Sequence, residues 1–151
     1  MNHFVLDSSI LLSWCFEDAA TPESDWLLSL LTQEEQSYKA LVPALWHLEV
    51  ANFLLKAEKS EHLTPAESLR FLDLLECLPL ETDITRFASK DILTLMRTYD
   101  LTACEAVYFL LAMKTPAPLA TFNEKLKKAA TKARISLVSY KKYKPFAKLK
   151  G

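Results

Sequence analysis

The sequence predicts a single α/β domain with three layers, helices packed on both faces of a short parallel sheet of four or five strands. Three observations lead there. Short apolar runs rich in β-formers alternate along the chain with longer segments whose apolar residues recur at helical spacing, and that alternation favours a parallel sheet. The 151 residues are 50% apolar and 25% charged, about one domain in length with material for a real core. No linker, internal repeat or low-complexity stretch divides them.

In chain order, Phe4-Val5-Leu6 is a short buried strand that runs straight into Asp7. Ser8 and Ser9 are good N-cap residues, and Ile10, Leu11, Leu12 and Trp14 begin a helical run behind them. Thr21-Pro22 is an N-cap with proline at the first helical position. Trp26, Leu27, Leu30 and Leu31 supply the stripe of a helix over about 22–36. Leu41-Val42 before Pro43 fits a second strand, and a long helix follows to about residue 59 through Leu45, Trp46, Leu48, Val50, Phe53 and Leu54. Thr64-Pro65-Ala66-Glu67 is a capping box that opens a helix ending near Cys77. Leu78-Pro79-Leu80 fits a third strand, which Pro79 confines to an edge or a strand start. Residues 84–99 carry a helical pattern, and Thr102-Ala103-Cys104-Glu105 is a second capping box for a helix through Val107, Tyr108, Leu111 and Ala112. After Pro116 and Pro118, residues 119–122 read as a strand, Asn123 caps a basic helix over about 124–133, and residues 135–138 make the last strand.

Composition removes several classes of function. Gly151 is the only glycine, so neither a Walker loop nor a Gly-rich dinucleotide loop can be built. Cys15, Cys77 and Cys104 are odd in number and widely spaced, which gives neither a disulfide framework nor a zinc pattern and suits a reducing cytosol. No basic-apolar leader opens the chain and no uncharged run reaches the roughly 18 residues of a membrane span, so a cytoplasmic protein with no membrane partner is expected. The net charge of −1 hides an asymmetry. From residue 121 onward ten Lys and Arg face the single acid Glu124, leaving eight against eighteen before it. A basic end on an acidic body either contacts polyanion, folds back on the body, or is simply a solvated face.

Four polar residues stand where a site would be built. Asp7 lies at the carboxyl end of a strand, where ligands bind in open α/β sheets, although a turn or cap role fits it equally. Glu49 shares the inward stripe with Leu45, Trp46 and Phe53, where an unpartnered carboxylate costs several kcal/mol; a rotated helix would leave it at the border. Glu105 points with Tyr108, Phe109 and Ala112, yet as the acid of a capping box it could merely satisfy a backbone N–H. Asn123 ends a strand in the same sense as Asp7, and a helix cap explains it as well. His3, His47 and His62 are scattered, as ordinary surface or packing residues are.

The order and spacing of these positions resemble the PIN-domain ribonucleases, and within them the VapC-like toxin of VapBC toxin-antitoxin pairs. The stretches that carry the resemblance are Phe4-Val5-Leu6-Asp7-Ser8-Ser9, the run from Val42 through Glu49 to Asn52, Leu101-Thr102-Ala103-Cys104-Glu105-Ala106-Val107-Tyr108, and Leu119-Ala120-Thr121-Phe122-Asn123-Glu124-Lys125-Leu126. The resemblance implies a PIN-like nuclease domain over residues 1–140 with a basic C-terminal tail at 141–151. It also places the catalytic and metal-ligating set on Asp7, Glu49, Glu105 and Asn123, with Ser9 and Thr121 as hydroxyls that orient the ligands. Two positions depart from the family pattern: Glu105 stands where Asp is typical, and Asn123 where Asp is frequent.

An all-oxygen set suits Mg²⁺ or Mn²⁺, one or two ions, and suits zinc poorly. Two carboxylates about 4 Å apart repel by roughly 4 kcal/mol at an effective dielectric of 20, so a cation holds such a cluster together. The implied activity is metal-dependent hydrolysis of phosphodiesters in cellular RNA (tRNA, rRNA or mRNA) by an endoribonuclease toxin. Its implied partners are a cognate antitoxin and a second copy in a homodimer. Lys125, Lys128 and Lys132 share one face of the last helix and could pair with phosphates. Tyr140, Tyr143 and Phe146, interleaved with Lys141, Lys142, Lys144 and Lys148, could stack bases or pack the tail onto the domain. Trp14, Phe16, Trp26, Leu27 and Leu30 are candidates for an antitoxin groove, or are core. The alternatives are a catalytically weakened PIN-like module that binds RNA or protein, and a PIN nuclease of RNA maturation.

Overall fold

The computed structural model describes residues 2–33 and 38–140. Four strands form one fully parallel sheet: β1 (Asn2–Leu6), β2 (Tyr38–Pro43), β3 (Leu80–Asp83) and β4 (Leu119–Ala120), in the order β3-β2-β1-β4. The register pairs Val5 with Leu41 on one side and with Leu119 on the other. The chain thus builds outward from β1 through β2 to β3, then returns to the opposite side of β1. That reversal makes the carboxyl ends of β1 and β4 the topological switch point, the place where open α/β sheets hold ligands.

Seven α-helices cover the sheet among the described residues: α1 (Leu11–Cys15), α2 (Pro22–Thr32), α3 (Leu45–Lys59), α4 (Pro65–Glu76), α5 (Ser89–Tyr99), α6 (Ala103–Lys114) and α7 (Glu124–Lys132). Strand alternation sorts them into two layers. Phe4, Leu6, Ala40 and Val42 point to one face and pack against residues of α1 to α4, among them Leu27, Trp46, Val50 and Phe71. Val5, Leu41 and Leu119 point to the other and meet Tyr108, Phe109 and Leu111 of α6 and Leu126 and Ala130 of α7. Both faces are buried, as a parallel sheet requires.

The caps explain most boundaries. Thr64 and Glu67 form the expected box, with Thr64 N donating to Glu67 at 2.9 Å and Glu67 N donating to Thr64 at 3.2 Å. Thr21 caps α2 through Ser24, whose hydroxyl reciprocates, and Pro22 takes the first position. Four expectations shift. The helix expected from residue 84 begins at Ser89, because Asp83 accepts from Thr85 N at 2.8 Å and this local bond holds the backbone out of a helix. The third strand starts after Pro79 rather than across it, and it is an edge strand as the proline demands. The fifth strand reduces to one bridge, Leu119 with Leu137, plus two backbone bonds flanking it. The second helix ends at Thr32, and residues 34–37, together with 141–151 and their aromatic and basic side chains, lie outside the described residues.

Phe109 is fully buried beneath the sheet. Its replacement by alanine is expected to cost about 3–5 kcal/mol of stability, read from the midpoint of urea unfolding with the slope unchanged.

Candidate active site

Asp7 is 5% exposed and follows the last residue of β1. Its amide donates to Ala120 O at 2.9 Å, which ties it to β4 across the switch point. Its carboxylate accepts from the Thr121 hydroxyl at 2.7 Å and from Ser9 N at 3.4 Å, so Asp7, rather than either serine, caps the 3-10 turn Ser8–Ile10. Thr121 Oγ1 in turn accepts from Asn123 N at 3.0 Å and lies 3.3 Å from Ser9 Oγ, which accepts from Phe122 N at 2.8 Å. Two hydroxyls therefore stitch the end of β1 to the end of β4. Burial pushes the Asp7 carboxyl above the usual range, and these hydrogen bonds offset only part of the effect.

Glu49 reaches the same place from α3 in the opposite helical layer. It is half-buried, at the border of the stripe, and its Oε1 accepts from the Tyr108 hydroxyl at 2.6 Å. Burial raises its pKa first, Tyr108 and Ser8 lower it, and the Asp7 charge raises it further. The Tyr108 phenol is held well above its usual range by burial and then by its bond to Glu49, so it stays a donor. None of the four ion pairs among the described residues involves Asp7, Glu49 or Glu105. The contrast at the same sheet edge is Asp83, which has Lys114 Nζ at 3.4 Å and a carboxyl held below the usual range, first by its Thr85 hydrogen bond.

Glu105 and Asn123 do two things each. Glu105 Oε1 accepts from Thr102 N at 2.8 Å, completing the capping box of α6, while Oε2 accepts from Asn123 Nδ2. Asn123 Oδ1 accepts from Lys125 N at 3.0 Å and Leu126 N at 3.2 Å, capping α7. The cap roles and the convergence are both present. Asp7, Glu49, Glu105, Asn123, Ser9 and Tyr108 line one open cleft of about 320 Å³. A larger groove of about 380 Å³ lies between α3, α4 and β3, but it is apolar and brings a single acid, Glu76.

Lys125, Lys128 and Lys132 are exposed on α7, the helix that starts at the cleft; Lys125 Nζ sits 3.5 Å from Asp100. Leu27 and Leu30 belong to the core, whereas Trp14, Phe16 and Trp26 are partly exposed, and the Tyr140 ring packs 5.6 Å from Trp26. His47 bonds Thr82 at 2.8 Å, outside the acidic cleft. Tyr108 was legible only as an apolar helix position, although a buried tyrosine hydroxyl needs a partner, and that requirement is the signal that could have found it. Cys104 also lines the cleft; burial first, and then Glu49 and Glu105, push its thiol pKa up.

The donors in the cleft are carboxylate, hydroxyl and amide groups, the set a hard cation prefers. As they stand, no three His, Cys, Asp or Glu among the described residues are grouped to hold one ion. Mg²⁺ commonly keeps several waters and needs only one or two carboxylates, so Asp7 and Glu49, neither of them in an ion pair among the described residues, fit such an ion.

Comparison with known proteins agrees with this fold. The PIN domain family model matches residues 4–132, and the chain belongs to the PIN domain family, whose members are in general nucleases. Among solved structures, PAE2754 from Pyrobaculum aerophilum superposes with a TM-score of 0.63 at 16% identity, over 85% of this chain and 84% of that one. A toxin-antitoxin complex from Klebsiella pneumoniae gives 0.53 at 18% identity, over 80% and 86%. No curated protein matches the sequence. No helix among the described residues is long and apolar enough to cross a membrane.

Two outcomes are expected. A carboxyl whose folded pKa is raised contributes stability that is fully present below the ordinary carboxylate value and lost as pH rises through the raised one. In EDTA at pH 7, Asp7→Asn should therefore melt above the wild type, with the gap closing as pH falls toward about 4. Tyr108→Phe, which removes one donor from Glu49, should weaken Mn²⁺ binding by about 10–100-fold in titration calorimetry with the fold retained.

Proposed function

We propose that this protein is a Mg²⁺- or Mn²⁺-dependent endoribonuclease toxin of the VapC type, hydrolysing phosphodiester bonds in cellular RNA in the cytoplasm. The observation that carries the reading is a pair of carboxylates, Asp7 and Glu49, raised by burial and unmatched by any cation among the described ion pairs, at the switch point of a PIN fold. Such a pair is stable as a charged site only with positive charge brought from outside. A divalent ion held there supplies charge neutralisation for the phosphodiester and lowers the pKa of water.

The chain's own residues supply the rest. Asp7 is fixed by Thr121 and Ser9 and presents a carboxylate that cannot swing away. Glu49, braced by Tyr108, orients the attacking water and takes up its proton. Glu105 and Asn123 close the far wall of the cleft. The exposed row Lys125, Lys128 and Lys132 leads away from it and pairs with successive phosphates of a single-stranded segment. An antitoxin partner is supported by the likeness to the Klebsiella pneumoniae toxin-antitoxin complex, with the partly exposed Trp14, Phe16 and Trp26 as apolar contacts, and a second copy of the chain in a homodimer is part of the same proposal. The Glu105–Asn123 bond favours a second reading, a module with weakened catalysis that binds RNA, because it engages two of the expected ligands with each other.

Purified protein incubated with total tRNA and rRNA should cut in Mn²⁺ and stop in EDTA. Asp7→Ala should lower the rate by at least about 100-fold, more than the loss typical of residues that only orient a ligand. RNA bound but left intact under every metal condition would favour the second reading.

A further inference from the structure

The Glu105–Asn123 pair departs from the four-ligand expectation in a specific way. The carboxamide of Asn123 has one oxygen and one nitrogen, and the orientation is set by what each faces. Lys125 N and Leu126 N are first-turn donors of α7 with no intrahelical acceptor, and both point at Oδ1. Rotating the amide to offer its oxygen to the cleft would set an NH₂ group against two N–H groups. The nitrogen is therefore the atom that Asn123 presents to the site, and it donates to Glu105 Oε2. The other oxygen of Glu105 is held by Thr102 N at 2.8 Å. The extra methylene of Glu over Asp lets one side chain span the α6 cap and the α7 cap together. Each oxygen of Glu105 thus already carries a donor, and a cation reaching either one has to share it with a helix cap.

We propose that Asn123 is a positioning residue, whose amide hydrogen-bonds Glu105 and keeps it from the cation, so that this chain holds one divalent ion on Asp7 and Glu49. The inference rests on the metal-dependent reading above and specifies how many ions that site takes. An aspartate at 123 would keep the cap oxygen but face Glu105 with a second carboxylate, and like charges that close take up either a proton or a cation. Asn123 is thus the substitution that removes the second ion.

The test is Mn²⁺ titration calorimetry on the full chain, with circular dichroism to verify the fold. Asn123→Ser keeps a cap acceptor and loses the donor; Asn123→Asp keeps the cap and adds charge. The wild type should bind one Mn²⁺, Asn123→Ser should bind it at least as tightly, and Asn123→Asp should gain a second ion or tighten the first by about tenfold. Two ions on the wild type, weakening of about tenfold in Asn123→Ser, or no gain in Asn123→Asp would each overturn the proposal. A folded wild type that binds no Mn²⁺ would remove the metal-dependent reading as well, whereas a loss confined to Asn123→Ser strikes this inference alone. A readout independent of affinity is the Asn123 side-chain amide signal in ¹⁵N spectra. Mg²⁺ should leave it in place, and its release by Mg²⁺ would show Glu105 moving to the ion.

Discussion

The bond from Thr121 to Asp7 is the contact on which the site depends. It joins the ends of two strands that are 114 residues apart in sequence and neighbours only because the chain reverses direction around β1. A carboxylate at 5% exposure would be expelled or protonated without donors, and the donors come from the next strand's terminus and the turn that Asp7 itself caps. The fold therefore creates the buried charge and the means of tolerating it at one point. Glu49 and Glu105 arrive there because α3 packs on one face of the sheet and α6 on the other, and both helices start near its carboxyl edge.

Helix caps and the cleft lining share the same side chains. Asp7 caps a 3-10 turn, Glu105 completes a capping box, and Asn123 caps α7, while all three line one cleft. Competition between the two uses is settled by how many lone pairs remain. A carboxylate has about four acceptor sites, so Asp7 can hold its donors and still face a cation. An amide has one oxygen, and in Asn123 helix capping has claimed it.

Much of this was legible in the sequence because the signals are local. The two Thr-x-x-Glu boxes, Pro22 and Pro65 at first helical positions, and the apolar stripes of α3 and α6 each encode their own element. That Asp7, Glu49, Glu105 and Asn123 meet at one cleft was legible because strand ends and inward helix faces can be read from short stretches. What escaped depends on which of two competing local bonds forms, or on contacts between distant segments. The start of α5 was lost to the Asp83–Thr85 bond, and residues 135–138 form a bridge where a strand was expected. Tyr108 became visible as the brace for Glu49 only when α3 and α6 were placed over the same sheet edge. Which end of the Asn123 amide faces the cleft is likewise a property of the neighbouring helix start, and the residue type alone does not carry it.

The central claim is that the carboxylates at the switch point take a divalent ion. Crystals soaked in Mn²⁺ and recorded for anomalous scattering test it most directly. The account predicts a single strong peak within about 2.0–2.2 Å of a carboxylate oxygen of Asp7 or Glu49, the range of such ligands. A cleft empty at saturating Mn²⁺, or an ion seated elsewhere on the chain, would contradict it.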